Sequence, residues 1–374
     1  MIFQNFGFNR VIIPAAGVAG PTFPDQSLTT WTTTETAAWL SAGSTLTTSN
    51  YGYATSSVRI GSAYTSANQW YGAALASNGK IYCPPHGRTD WAIIDTATDT
   101  IATTGSVNNN NMGARFDKIT NQVFAFGSNG TKIVCSTDAS SNISGPANRQ
   151  AGGVQSFDGN KIYTAGLFGT QGIYEYDVSA NSSSFKASTG GDRYTIGTLA
   201  ANGKIFWPAG GGTEFSAYEP STNTLTNFGS FSGDYTGPMV AHYDGYIYSF
   251  PRFFNQSVIR VNPTDNSYST IHTLSIPTNI ISTNACIGLD GRIYVTREND
   301  AVYWYDPYAN TSGAITMANG DVSFTGITMG KNGDLYVIPY NSDYFHKISL
   351  TTGAGAGADA IVQQYNFGGR MCWQ

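Results

Sequence analysis

An all-β chain folded as a seven-bladed β-propeller, each blade a four-stranded antiparallel sheet, is predicted by three observations. A short phrase recurs seven times along the chain at nearly constant spacing. Each copy joins a turn dipeptide to an alternating aliphatic–aromatic run. No stretch shows sustained helical periodicity.

The phrase is Asn78-Gly79-Lys80-Ile81-Tyr82 in its first copy. It returns as Asp158-Gly159-Asn160-Lys161-Ile162-Tyr163, Asn202-Gly203-Lys204-Ile205-Phe206 and Asp244-Gly245-Tyr246-Ile247-Tyr248. Asp290-Gly291-Arg292-Ile293-Tyr294 and Asn332-Gly333-Asp334-Leu335-Tyr336 follow, and a degenerate copy, Thr120-Asn121-Gln122-Val123-Phe124, fills the one gap. Anchored on Ile81, Val123, Ile162, Ile205, Ile247, Ile293 and Leu335, the intervals are 42, 39, 43, 42, 46 and 42 residues. A period near 40–50 residues is that of a four-stranded propeller blade.

Each strand of a blade has its own reason. Strand one is a run of small and apolar residues, such as Gly72-Ala73-Ala74-Leu75-Ala76; small side chains suit the crowded axis. Asn-Gly or Asp-Gly then supplies the positive φ of a tight hairpin, and the anchor run forms strand two. A variable Gly/Pro-rich loop leads to strand three, for example Trp91-Ala92-Ile93-Ile94-Asp95. A second turn, such as Glu219-Pro220-Ser221-Thr222-Asn223 or Asp306-Pro307-Tyr308-Ala309-Asn310, leads to strand four.

The repeat places the propeller at residues 70–366, with an N-terminal arm at 1–69 and a tail at 367–374. Pro14, Pro21 and Pro24 keep the start of the arm extended, and Trp31 and Trp39 interrupt its Thr/Ser-rich stretch. Residues 51–64 have the composition to donate a strand that helps close the ring. Phe3, Phe6, Phe8, Val11, Ile12 and Ile13 concentrate apolar surface near the N-terminus. They are the candidate partner-docking residues, the alternative being an arm folded back on its own propeller.

Charged residues make up 11% of the chain and the net charge is −5, against about 25% charged residues in an ordinary domain. No Lys/Arg cluster offers a phosphate-binding surface, so nucleic acid is not expected as a partner. No apolar run reaches membrane-span length, and the first ten residues lack the pattern of a secretory signal. Cys83, Cys135, Cys286 and Cys372 form no metal-like spacing, and His86, His242, His272 and His346 are scattered. No metal, cofactor or catalytic residue is therefore expected.

The repeated phrase, followed by a Pro-bearing loop and a run such as Ile94-Asp95-Thr96-Ala97-Thr98-Asp99-Thr100-Ile101, resembles the kelch-like and streptogramin-lyase-like propeller families. It is especially similar to the propeller repeats of some tailed-phage particle proteins. The resemblance covers about 300 of the 374 residues. It implies a virion structural or host-recognition protein, located on the virion and present in multiple copies. Such a protein would be mounted on other virion proteins through its arm and would face a host-surface glycan or protein. A free glycan- or peptide-binding propeller and a propeller lyase are the alternatives.

Propeller topology gathers the loops between strands two and three and those between blades on one face. The recognition surface is expected there, because binding residues concentrate on variable loops of a rigid scaffold. The candidate ligand-binding residues are His86, Arg88, Trp207, Arg252, Phe253, Arg297 and Tyr340.

Overall fold

The computed structural model describes residues 54–350, apart from positions 66–67, 118, 128–129, 145–149, 157–159, 167–171, 190–196, 201, 209–213, 231–236, 243, 252–256, 276–281, 289 and 299. The described residues form seven four-stranded antiparallel sheets. The chain enters through β1 (Val58–Ile60). Blade 1 holds β2 (Ala74–Leu75), β3 (Lys80–Cys83), β4 (Trp91–Asp95) and β5 (Thr100–Thr104). Blade 2 holds β6 (Asn111–Asp117), β7 (Gln122–Gly127), β8 (Thr131–Val134) and β9 (Ala139–Asn142). Blade 3 holds β10 (Gln150–Gln155), β11 (Lys161–Gly166), β12 (Ile173–Asp177) and β13 (Ser182–Ala187). Blade 4 holds β14 (Thr198–Leu199), β15 (Ile205–Trp207), β16 (Phe215–Glu219) and β17 (Thr224–Phe228). Blade 5 holds β18 (Met239–Ala241), β19 (Ile247–Ser249), β20 (Ser257–Val261) and β21 (Tyr268–Thr273). Blade 6 holds β22 (Ser282–Ile287), β23 (Ile293–Arg297), β24 (Tyr303–Asp306) and β25 (Thr311–Ala314). Blade 7 holds β26 (Phe324–Met329), β27 (Leu335–Pro339) and β28 (Phe345–Ile348), and takes β1 as its outermost strand.

The seven anchors occupy equivalent places on the second strands. Leu75 pairs with Ile81, Phe116 with Val123, Gln155 with Ile162, Leu199 with Ile205, Ala241 with Ile247, Ile287 with Ile293 and Met329 with Leu335. All seven anchors have 0% relative exposure. The turn chemistry is equally regular. In five copies the Asn or Asp Oδ1 accepts the backbone N–H two residues on, at 3.0–3.2 Å. The glycine that follows has φ between 77° and 88° at Gly79, Gly203, Gly245, Gly291 and Gly333, the left-handed conformation that closes such a loop. Near the axis the innermost strands crowd as expected: a Cβ on Gly72 would lie 2.7 Å from the Gly113 Cα.

The ring takes in residues N-terminal to position 70, where the repeat itself begins. Val58, Arg59 and Ile60 pair with Lys347, His346 and Phe345. Backbone bonds from Ser57 to Thr316 (3.0 Å) and from Thr316 to Thr55 (2.8 Å) extend this closure into the loop before blade 7. Residues 1–53, with Phe3, Phe6, Phe8, Val11, Ile12 and Ile13, and residues 351–374 lie outside the described residues.

A side-chain chain locks the closing strand. Arg59 donates to both Asp321 oxygens, at 2.6 and 2.5 Å, and stacks 4.2 Å from the Tyr344 ring centroid. His346, wholly buried under Phe324, bridges Asp321 (Nε2, 2.9 Å) and the Ser57 hydroxyl (Nδ1, 2.9 Å). Because Asp321 only accepts, Nε2 carries the proton and Nδ1 receives the Ser57 O–H. The Ser57 oxygen in turn accepts the Ala318 N–H at 3.1 Å. Burial pushes His346 below its ordinary pKa, against the pull of Asp321. Burial also pushes Asp321 upward, but Arg59 and His346 outweigh it and hold the carboxyl below its ordinary value.

Two predictions follow from this packing. Ile205→Ala or Ile293→Ala should cost about 2–5 kcal/mol, read from urea midpoints, since each removes a fully buried branched side chain that its neighbours cannot replace. The second concerns acid. A neutral His346 accepts the Ser57 proton; a protonated one cannot. Its folded-state pKa is depressed, so its contribution is present above the unfolded value of about 6.5 and is lost as pH falls through the folded value. The melting temperature of the protein should therefore drop below about pH 6.5, and His346→Asn should flatten that limb. Parallel pH profiles for the two proteins would exclude His346 as its source.

Candidate functional site

Antiparallel alternation sends the turns joining first to second strands, and third to fourth, to one face of the ring. The loops between second and third strands and between blades lie on the other, the loop face. At the seam of blades 7 and 1 this loop face gathers three aromatic rings. His86 lies 5.4 Å from Tyr71 and 5.8 Å from Tyr340, and Tyr71 meets Tyr340 edge-on at 6.3 Å. Tyr71 is buried, whereas His86 and Tyr340 are half-buried and present part of their rings to solvent.

The backbone beneath these rings is tightly tied. His86 donates its N–H to Gln69 (3.0 Å), and its carbonyl accepts the Asn110 N–H (2.7 Å). Gln69 donates to the Tyr340 carbonyl (3.0 Å) and Tyr340 donates to Ser323 (3.0 Å). The His86 Nδ1 lies 3.1 Å from the Asn111 carbonyl, which fixes it as the protonated nitrogen. Burial, with the nearby Glu298 carboxylate second, raises the Tyr340 phenol above its ordinary pKa, so it stays a neutral donor. The result is a preorganised aromatic and hydrogen-bonding platform with almost no net charge.

The other candidates fall elsewhere. Arg88 is engaged by Asp90 through two bonds, 2.7 and 2.9 Å, and lies 5.0 Å from the Trp70 ring centroid. The Asp90 hydrogen bond is the main reason its pKa is raised. The guanidinium thus braces the loop carrying His86. Arg297 is 3% exposed, donates to Asp300 at 3.1 Å and stacks toward Tyr303 at 5.6 Å. Trp207 has 0% exposure and packs with Leu199, Ile205 and Tyr218; it is a core side chain. The alternation of β15 turns it into the blade although its sequence position adjoins the loop. Arg252 and Phe253 lie outside the described residues. Tyr71 completes the platform, and nothing local in the sequence marks it beyond its place before Gly72.

The histidines are dispersed. His242 bonds the Gly291 carbonyl on the turn face at 2.9 Å, His272 contacts Ser312 at 2.9 Å on the rim, and His346 belongs to the closure. The order Ser57–His346–Asp321 resembles a hydrolase triad, but Ser57 is 7% exposed and its oxygen accepts the Ala318 amide. Among the described residues no three His, Cys, Asp or Glu side chains are placed to hold a metal ion.

No known protein-family profile matches the chain, and no curated protein matches it in sequence. Solved structures show the class. The fold is a seven-bladed propeller resembling those of streptogramin B lyases. A streptogramin B lyase superposes with a TM-score of 0.64 at 14% identity, over 76% of this chain and 94% of that one. Virginiamycin B lyase from Staphylococcus aureus gives 0.64 at 12% identity, over 79% of this chain and 98% of that one. The extracellular domain of a hybrid two-component system from B. thetaiotaomicron gives 0.61 at 14% identity, over 81% of this chain and 44% of that one. At these identities the likeness is one of fold.

Proposed function

We propose that this propeller is a non-enzymatic recognition scaffold whose loop face, at the seam of blades 7 and 1, binds a glycan or peptide displayed on a surface. The observation that carries this reading is the set of Tyr71, His86 and Tyr340, whose rings meet within 5.4–6.3 Å with two of them partly exposed. Half-exposed rings over a hydrogen-bonded frame favour stacking on a sugar ring or an apolar side chain at low entropic cost. The low charge of the chain suits hydrogen-bonded and stacked contacts rather than electrostatic capture.

The setting we propose is a virion, with the ring facing the host and the N-terminal arm docked on other virion proteins. The repeat phrase, the sparse charge and the apolar residues Phe3, Phe6, Phe8, Val11, Ile12 and Ile13 support it. A free lectin-like propeller shares the same binding face and differs only in lacking that mount. A propeller lyase is less supported, because the four histidines occupy four separate environments.

The test is a glycan array and a host-envelope binding assay with the full-length protein. His86→Ala combined with Tyr340→Ala should weaken binding at least about tenfold while leaving the melting temperature within a few degrees, since both rings are half-exposed. Unchanged affinity in a folded double variant removes this platform from consideration.

A further inference from the structure

The turns between third and fourth strands contain a repeated device that fails in one place. Six of these turns carry an Asn or Asp at left-handed φ: Asp99, Asp138, Asn181, Asn223, Asn266 and Asn310, all between 48° and 61°. In five of them a tyrosine hydroxyl bonds the side chain. Tyr176, Tyr218 and Tyr305 reach Asn181, Asn223 and Asn310 from the third strand of the same blade, at 2.6, 2.7 and 3.1 Å. Tyr336 and Tyr82 reach Asp99 and Asp138 from the second strand of the preceding blade, both at 2.7 Å.

Asn266 has neither. The same-blade position is Val261, which pairs with Ile247 as Tyr218 pairs with Ile205. The preceding-blade position is Phe206, one residue after its anchor like Tyr82 and Tyr336. The equivalence of this seam is independently marked. Asn202 Nδ2 bonds the Pro263 carbonyl at 2.7 Å, as Asn78 bonds Cys135 (2.8 Å) and Asn332 bonds Thr96 (3.2 Å). The Asn266 Oδ1 is buried and has no hydrogen-bond partner among the described residues. Lysine follows the same pattern. Lys80, just before its anchor like Lys204, is paired with Asp138, and Lys347 reaches Asp99 from the third strand of blade 7, whereas Lys204 forms no ion pair among the described residues.

Beside this turn a groove of about 500 Å³ lies between blades 4 and 5, with Asn266 on its wall. Its lining includes Lys204, Glu219, Thr222, Thr224, Thr226 and Asn266. Among the described residues no aromatic ring lines it, and the one cation and one anion found there favour a neutral guest over an ionic one. Hydroxyls, a carboxamide, an ammonium and a carboxylate are together the usual partners of vicinal alcohols.

We propose that this groove is a second ligand site, on the turn face, for a sugar unit whose hydroxyls meet the polar side chains of Lys204, Glu219, Thr222 and Asn266. The site is independent of the loop-face platform, and loss of one reading leaves the other intact.

The test is saturation-transfer NMR on the full-length protein with D-glucose, D-galactose, D-mannose and N-acetyl-D-glucosamine as probes. At least one should receive saturation from the wild-type protein. Phe206→Tyr rebuilds the phenol seen at Tyr82 and Tyr336, so it should raise the melting temperature and weaken that sugar at least tenfold. Lys204→Met with Glu219→Gln should weaken it similarly without rebuilding the seam. His86→Ala with Tyr340→Ala should leave it unchanged. No transfer to any of the four sugars would overturn the proposal. So would undiminished binding by a Phe206→Tyr protein of raised melting temperature. If that variant fails to fold, undiminished binding by the Lys204→Met, Glu219→Gln protein would overturn it alone.

Discussion

A ring of blades is stable only when it is closed, and here closure rests on three residues of β1 held by one polar chain. Each blade buries its faces against its two neighbours, so an open ring would leave two apolar faces in water. The largest core cluster lies across the junction: Trp70, Ile81, Leu335, Phe345 and Leu350 belong to it, with residues from blades 1, 5, 6 and 7. The edge-on contacts of Tyr64 with Trp70 (5.1 Å) and Phe345 (5.7 Å) add to the same seam. Apolar packing brings the ends together without direction. Ser57, Arg59, His346 and Asp321 then fix the register, because each hydrogen bond in that chain has one donor and one acceptor that can satisfy it. A slip of one residue would turn the exposed Val58 inward and Arg59 away from Asp321.

Closure also explains why the candidate platform sits where it does. Tyr71 and Tyr340 come from opposite ends of the described chain and become neighbours only when blade 7 meets blade 1. The Gln69 N–H that bonds the Tyr340 carbonyl crosses the same junction. A surface built from both ends reports on the integrity of the whole ring, and its rigidity is borrowed from a seam that the largest described core cluster spans. Preorganisation of this kind lowers the ordering cost of binding.

The fold was legible in the sequence because its signals are local. Asn78-Gly79 and its equivalents are required by the turn itself: the Oδ1 takes the amide two residues on, and the glycine takes the positive φ. Those demands repeat in five of the described blades, so the anchors could be placed without tertiary knowledge. The candidate surface was only half legible. Loop membership follows from topology, which is why His86 and Tyr340 were among the candidates. Side-chain direction does not, which is why Trp207 was grouped with them although β15 turns it into the core. Arg88 and Arg297 carried a readable warning: Asp90 and Asp300 lie two and three residues on and occupy their forks. Tyr71 belongs to the site through a contact made only on closure, and no spacing rule reports that.

A repeat protein supplies its own control, since seven copies show what a position does by default. Against that default, conserved chemistry is structural and a departure from it asks for a reason. The tyrosine that satisfies the turn Asn or Asp comes from the same blade or from the preceding one, and either solution leaves no buried oxygen alone. At the seam of blades 4 and 5 both sources are apolar, Phe206 on blade 4 and Val261 on blade 5, and the asparagine is kept. An apolar substitution made for packing alone would be expected to take the polar partner with it, because a buried acceptor without a donor is costly. Retaining Asn266 beside Lys204, which forms no ion pair among the described residues, on the wall of a groove is the pattern left when a position is relieved of a structural duty and given to a ligand.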